Sequence, residues 1–363
     1  VILIGILFEL FKRAGVLAAL AQRFARGSGH RRGVEVSAWG MGFVIVDDYF
    51  SPLLTGAVMR PMSDRAGIPR EKLAFILDAT TASVCILVPF TAWGAYLASL
   101  IAAQGADVGS VEEGLAVFIG AIPYNFYPML MLLFTLLIAV GVIPDFGPMR
   151  KAEKRAAATG ELIRPGAKPL VTDDGDDVLE VAGERQASLF LELLTPVVLL
   201  IGVGAVTLIQ TGSVKIVEAF MLAVAWLFAV LAFRGSFKSI DEVADVIVAG
   251  TRNVMAALLI VALAYALNAV TTELGAGQYI IDQFTSDLTP NSLVLITFLL
   301  TAAISFSTGT SWGAFAMMMP VALPVAFEFT GGNVEPLVHQ TVAAIAGGGI
   351  FGDHSSPVSD TTV

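Results

Sequence analysis

The sequence predicts an all-α polytopic membrane protein, and three observations carry that reading. Of 363 residues, 56% are hydrophobic and only 14% charged, where soluble domains carry about a quarter. Apolar runs at 73–103, 115–143, 189–210 and 217–233 fall in the range that crosses a bilayer core. The alternating ten-residue strands of an outer-membrane barrel are missing.

The rest of the composition excludes several function classes. A formal charge of −10 with no basic stripe among aromatics argues against nucleic acid. A single cysteine, Cys85, rules out an intrachain disulfide and a CxxC metal site. The three histidines show no HExxH spacing, and no cofactor is expected. The chain starts with Val1 inside an apolar segment and stops at Val363 within a polar motif. No signal peptide is visible in these residues, and the expectation is a fragment lacking both ends of a longer protein.

Basic residues set the expected topology, because lysine and arginine mark the cytoplasmic side of short loops. Ten of the 21 lie between Lys12 and Lys72, none lies in 73–149, seven occupy 150–185, and none follows Arg252. Arg23, Arg26, Arg31 and Arg32 precede residues 34–59, and Arg60, Arg65, Arg70 and Lys72 follow. A single crossing would strand one cluster outside. A re-entrant hairpin over 34–59, with its tip near "VDDYFSP", keeps both on one face.

The chain then crosses outward through 73–103, expected as a broken helix, to the acidic loop 104–114. Segment 115–143 returns, bent by Pro123 and Pro128 in "IPYNFYP". Residues 150–188, with "RKAEKR" and "TDDGDD", read as a long cytoplasmic loop. Connecting membrane helices fill 189–240, where Glu192 and later Arg252 are expected to snorkel at helix ends. Residues 241–363 hold a second unit, with a hairpin over about 291–329 and a broken helix over 337–363.

That second unit repeats the first, residues 1–149. "GVLAALAQRF" at 15–24 matches "GAGQYIIDQF" at 275–284, an offset of 260; "VMRP" ending at Pro61 matches "MMMP" ending at Pro320, an offset of 259. "DATTAS" at Asp78 matches "DHSSPV" at Asp353, an offset of 275. Another match, "TAWGAY" at 91–96 with "TSWGAF" at 310–315, breaks that order and reads as chance or shared hairpin chemistry. The first hairpin is flanked by arginines and the second by acids alone, so the copies are expected to face opposite sides. Inverted-topology repeats with broken helices are the mark of secondary transporters.

Ionisable groups inside such runs are costly and usually face a cavity or partner. Asp78 and Asp353 are the leading pair. A carboxylate between a burial-raised and a cation-lowered pKa can trade a proton for a metal cation, and hard cations take oxygen ligands. Thr80, Thr81, Ser355 and Ser356 offer hydroxyls beside the two aspartates. Glycine and proline in "GIFGDHSSP" free main-chain carbonyls. Helix capping by each aspartate is the competing explanation. Asp47 and Asp48 at the first tip either line the path or cap the turn. The second tip, "SFSTGTSWG", supplies Ser305, Ser307, Thr308 and Thr310. His354 is a pH-sensing candidate or a hydrogen-bonded neutral partner of Asp353 or Asp360, the latter being preferred.

Four stretches, "DDYFSPLLTGAVMRPMSD", "REKLAFILDATTASVCILVPFTAWGAY", "STGTSWGAFAMMMPVALP" and "GGGIFGDHSSPVSDTT", resemble the NhaC-type Na+/H+ antiporter family. The resemblance covers most of 36–100 and 300–363. It implies inverted repeats with two re-entrant hairpins and exchange of Na+ for H+ in a bacterial cytoplasmic membrane. The motifs with Asp47, Asp48, Asp78, Asp353, His354 and Asp360 would line its transport core. Expected partners are Na+ and H+ as transported ions, the lipid bilayer and, against a monomer, a homodimer. An organic-acid antiporter of the malate/lactate type is the nearer alternative, which the lack of lysine or arginine at the site disfavours. An intramembrane aspartyl protease is remote, because "GIFGD" has one residue too many for GxGD and "DDYF" is not its YD partner.

Overall fold

The computed structural model describes residues 2–16, 19, 30–43, 50–105, 108–166, 187–211, 215–255, 289–357 and 359, with isolated positions over 259–274. Among them there are fourteen α-helices and no strand, the all-α architecture of a polytopic membrane protein. The first unit contains α1 (Ile2–Ala14), α2 (Arg31–Met41), α3 (Phe50–Arg65), α4 (Arg70–Leu87), α5 (Ala92–Ala102), α6 (Val111–Ala121) and α7 (Phe126–Ala139). Next come α8 (Gly147–Thr159), α9 (Thr195–Thr211), α10 (Ile216–Phe233) and α11 (Ile240–Asn253). The last three are α12 (Pro290–Thr308), α13 (Ser311–Phe329) and α14 (Pro336–Ser355).

Helices α2 and α3 occupy the expected first hairpin. With α4 they bury their own apolar cluster of Val34, Ala38, Met59, Ile68, Leu73, Ile76 and Leu77. Its tip, with Asp47 and Asp48, lies outside the described residues, as does Asp360. Helices α12 and α13 meet at Gly309, whose φ of 70° is a left-handed cap that favours glycine. Each has 19 residues and is long and apolar enough to cross a membrane.

Two helix pairs are bent at short breaks. Helices α4 and α5 meet at 49°, and α6 with its following turn meets α7 at 52°. The second bend falls in "IPYNFYP", as its prolines predict. The first falls at Val88–Thr91, ten residues beyond the start of "DATTAS", which lies inside unbroken helix. Pro89 has no N–H for the Cys85 carbonyl four residues back. The Thr91 hydroxyl donates to that carbonyl instead (3.0 Å) and accepts from Gly94 N (3.1 Å), capping α5. Gly94 is required here, because a Cβ would lie 2.0 Å from the Pro89 carbonyl oxygen.

The set-aside match between "TAWGAY" and "TSWGAF" proves to mark two helix starts that meet. Thr91 caps α5 and Thr310 is the N-cap residue of α13. Trp93 lies edge-on to both Trp312 and Phe315, with ring centroids 5.5 Å apart. The Tyr96 hydroxyl donates to the Trp312 carbonyl (2.9 Å). These aromatic contacts join the two units inside the main apolar core.

Two sequence expectations change in the connecting region. The loop expected from residue 150 begins with α8, whose Ala152 and Ala156 are buried. It is held by ion pairs: Lys72, 4% exposed, lies 3.1 Å from Glu35, 2.9 Å from Asp145 and 3.4 Å from Glu153. Arg31 bonds Glu35 and Glu153, and Arg155 bonds Glu71 at 2.9 Å. Burial works against the charge of Arg31, but Glu153 and Glu35 outweigh it and hold its guanidinium above the usual range. Glu192 does not snorkel. It is fully buried, accepts from Ser188 N (2.8 Å) and pairs with Arg234 at 2.7 Å, because a buried carboxylate needs both charge and hydrogen bonds.

Candidate functional site

Glycines bring α14 into place. A Cβ on Gly348 would lie 2.5 Å from the Phe298 carbonyl oxygen, and one on Gly352 only 2.2 Å from that of Ala302. Helix α14 therefore lies backbone to backbone against α12, as small residues permit in membrane helices. Ser305 donates to the Gly349 carbonyl (2.6 Å) and Ser356 to that of Phe306 (2.8 Å), fastening the seam.

Asp353 occupies the last turn of α14 and is 2% exposed. Ser359 donates to its carboxylate at 2.7 Å. Pro357 lacks the N–H that would continue the ladder to the Asp353 carbonyl, and Ser356 N takes that acceptor at 2.9 Å. The chain thus places a buried carboxylate at a helix end inside an apolar segment, where ionisable groups are costly.

Asp78 comes to the same region on α4, which packs against α14. It is 7% exposed, on a helix whose Thr80, Thr81 and Ser83 are buried. Ser51 of α3 and Thr81 have hydroxyls 3.5 Å apart, and a Cβ on Gly56 would touch Leu77. This antiparallel register brings Thr55 to the level of Asp78. The hydroxyls of Thr55, Thr80 and Ser83 are buried without a hydrogen-bond partner. Such groups normally find one.

A third element completes the site. Tyr127, on α7 just past the bend, has its hydroxyl 2.9 Å from His354 Nδ1. The Tyr127 hydroxyl is within electrostatic reach of both Asp78 and Asp353. The His354 ring is within electrostatic reach of Asp353 and of the Asp78 main chain. Two carboxylates, an imidazole and a phenol thus converge where α4, α7 and α14 meet. That set can hold a proton or pass one on; among the described residues no three His, Cys, Asp or Glu side chains stand close enough to form a metal site by themselves.

Of the residues singled out by sequence, Asp78, Thr80, Thr81, Asp353, His354 and Ser356 lie on these packed faces. Ser307 and Thr308 do not: both are exposed and bond back to the Ile304 carbonyl of their own helix. Ser355 likewise turns back to Phe351. Thr310 is half-buried at the start of α13 and makes no capping bond through its side chain. Sequence reasoning missed Asn125 and Tyr127, because "IPYNFYP" was read for its prolines alone. The available signal was an amide and a phenol at a proline break inside an apolar helix.

Comparison with known proteins agrees with this architecture. The model of the Na+/H+ antiporter family matches residues 84–363, well over half of the chain. The chain belongs to the Na+/H+ antiporter family. It is 29% identical over 386 aligned residues to a Haemophilus influenzae protein named "Uncharacterized protein", covering 100% of this chain and 70% of that one. It is also 36% identical over 75 residues to a Haemophilus influenzae "Uncharacterized Na(+)/H(+) antiporter", covering 21% of this chain and 15% of that protein. Family and architecture together define an integral membrane protein of the cation/proton antiporter class.

Proposed function

We propose that this protein is an NhaC-type antiporter that exchanges Na+ for H+ across a bacterial cytoplasmic membrane by alternating access. Asp353 binds Na+ or H+ competitively, and Asp78 holds the complementary negative charge. The observation that carries this reading is the meeting of Asp78, Asp353, His354 and Tyr127 at the end of α14, in a chain of this family. Na+ and H+ compete for one carboxylate because either relieves its buried charge and both together are not needed. Hydroxyls of Thr80, Thr81 and Ser356 serve as neutral oxygens around the site.

In this reading the two units are inverted repeats. The α2–α3 and α12–α13 pairs enter from opposite faces as re-entrant hairpins, and the ion-paired end of α4 is cytoplasmic. Asp47, Asp48 and Asp360 join the pathway at the hairpin tip and beyond the end of α14. The related Haemophilus influenzae sequence named as an antiporter supports the substrate class.

The test is full-length protein in proteoliposomes with a pH-sensitive dye inside. A Na+ pulse should drive proton flux, and Asp353→Asn should abolish it. Flux that survives this substitution overturns the role of Asp353. Flux driven by malate or lactate, and not by Na+, overturns the choice of substrate.

A further inference from the structure

Asn125 stands at the 52° bend between α6 and α7. It is 3% exposed, and its side-chain oxygen is buried without a hydrogen-bond partner. Leaving such an atom unsatisfied costs about 1–3 kcal/mol. A partner that comes and goes would remove that cost.

The orphan oxygen faces the glycine seam. A Cβ on Gly347 would lie 2.7 Å from it, with Phe298 and Tyr127 forming the adjoining walls at 3.6 Å. Gly120 meets His339, Asn125 meets Gly347, and Tyr127 meets His354. The contacts advance in the same order on both segments, so α6–α7 and α14 run parallel. Asn125 therefore lies on the seam that ends at Asp353, six residues earlier along α14, or about 9 Å.

The bend adds a second oxygen. Pro128 has no N–H, so the Tyr124 carbonyl loses its helical donor. Neutral oxygens suit a hard cation. Neither oxygen can carry a proton near neutral pH.

We propose that Asn125 is a second cation station on the transport pathway, its side-chain oxygen ligating Na+ between Asp353 and the external face. The proposal rests on the Na+/H+ exchange reading above. It gives the glycine at 347 a purpose beyond packing, since a methyl group there would displace the amide.

The test is Na+-driven proton flux in proteoliposomes as a function of external Na+, for full-length wild type, Asn125→Ala and Gly347→Ala. The half-saturating Na+ concentration should rise about tenfold in both variants, the loss of roughly one good interaction, while the maximal rate stays within about twofold. An unchanged half-saturation, or a fall in maximal rate alone, overturns the proposal and leaves Asn125 a packing or hinge residue. Should neither variant fold, Asn125→Asp decides. It keeps the oxygen and adds charge, so half-saturation at alkaline pH should fall below wild type, and no change overturns the ligand role. A wild-type protein that shows no Na+-driven flux defeats the exchange reading itself, a distinct result from exchange that is indifferent to Asn125.

Discussion

Asp78 and Asp353 look alike in sequence and stand differently in the molecule. Asp353 is four residues before Pro357, in the last turn of α14, with its own carbonyl accepting from Ser356 N in place of the missing proline N–H. The residue four before Pro89 is Cys85, not Asp78. Asp78 lies seven residues earlier, two turns back on the same helix face, inside unbroken α4. Helix α4 is also fixed at its basic end by Lys72 and Glu71, whereas the end of α14 is held by serine hydroxyls and a glycine seam. The difference teaches that a matched motif gives a shared helix face, while the proline gives the break. One carboxylate sits on a post and the other at a joint.

The largest expected effect belongs to the joint. Asp353→Asn should remove Na+-driven flux entirely, with the purified protein still monodisperse. If instead Asp78→Asn abolished flux and Asp353→Asn merely slowed it, the assignment of post and joint would be reversed.

Stability separates the two helices next. Lys72→Met leaves Glu35, Asp145 and Glu153 around a buried position with one cation fewer, a change that costs about 3–5 kcal/mol. Thermal unfolding in detergent should show that loss, while half-saturating Na+ stays within about twofold. A large change in Na+ affinity without loss of stability would show that the network belongs to the transport site.

Asp78→Asn should raise half-saturating Na+ about tenfold and retain measurable flux, as fits a charge that assists without exchanging. The smallest effect concerns the first break. Thr91→Val removes the cap of α5 and the donor to the Cys85 carbonyl, lowering stability by about 1 kcal/mol in the same thermal assay. No change there would mean that Pro89 alone sets the bend.

Helix content, the bend at Pro123 and Pro128 and the polar character of the α14 end were legible in sequence, because proline chemistry and apolar run length act locally. The position of the first break was not. "DATTAS" drew attention to Asp78, yet its threonines are compatible with helix, and Pro89 was present but weighed less. The start of α8 was read as loop because its charges looked solvated. Only the fold shows Lys72 and Arg31 neutralising Glu153. Tyr127 could not be joined to His354 from sequence, since 227 residues separate them and only the packing of α7 on α14 brings them together.

Proton release on Na+ binding tests the central claim most directly. Purified protein in detergent and weak buffer, mixed with Na+ at a pH where exchange runs, should release up to about one proton per Na+ bound, because the cation displaces the proton from its ligand. Asp353→Asn should release none. Equal release from that variant and wild type would contradict competition at Asp353.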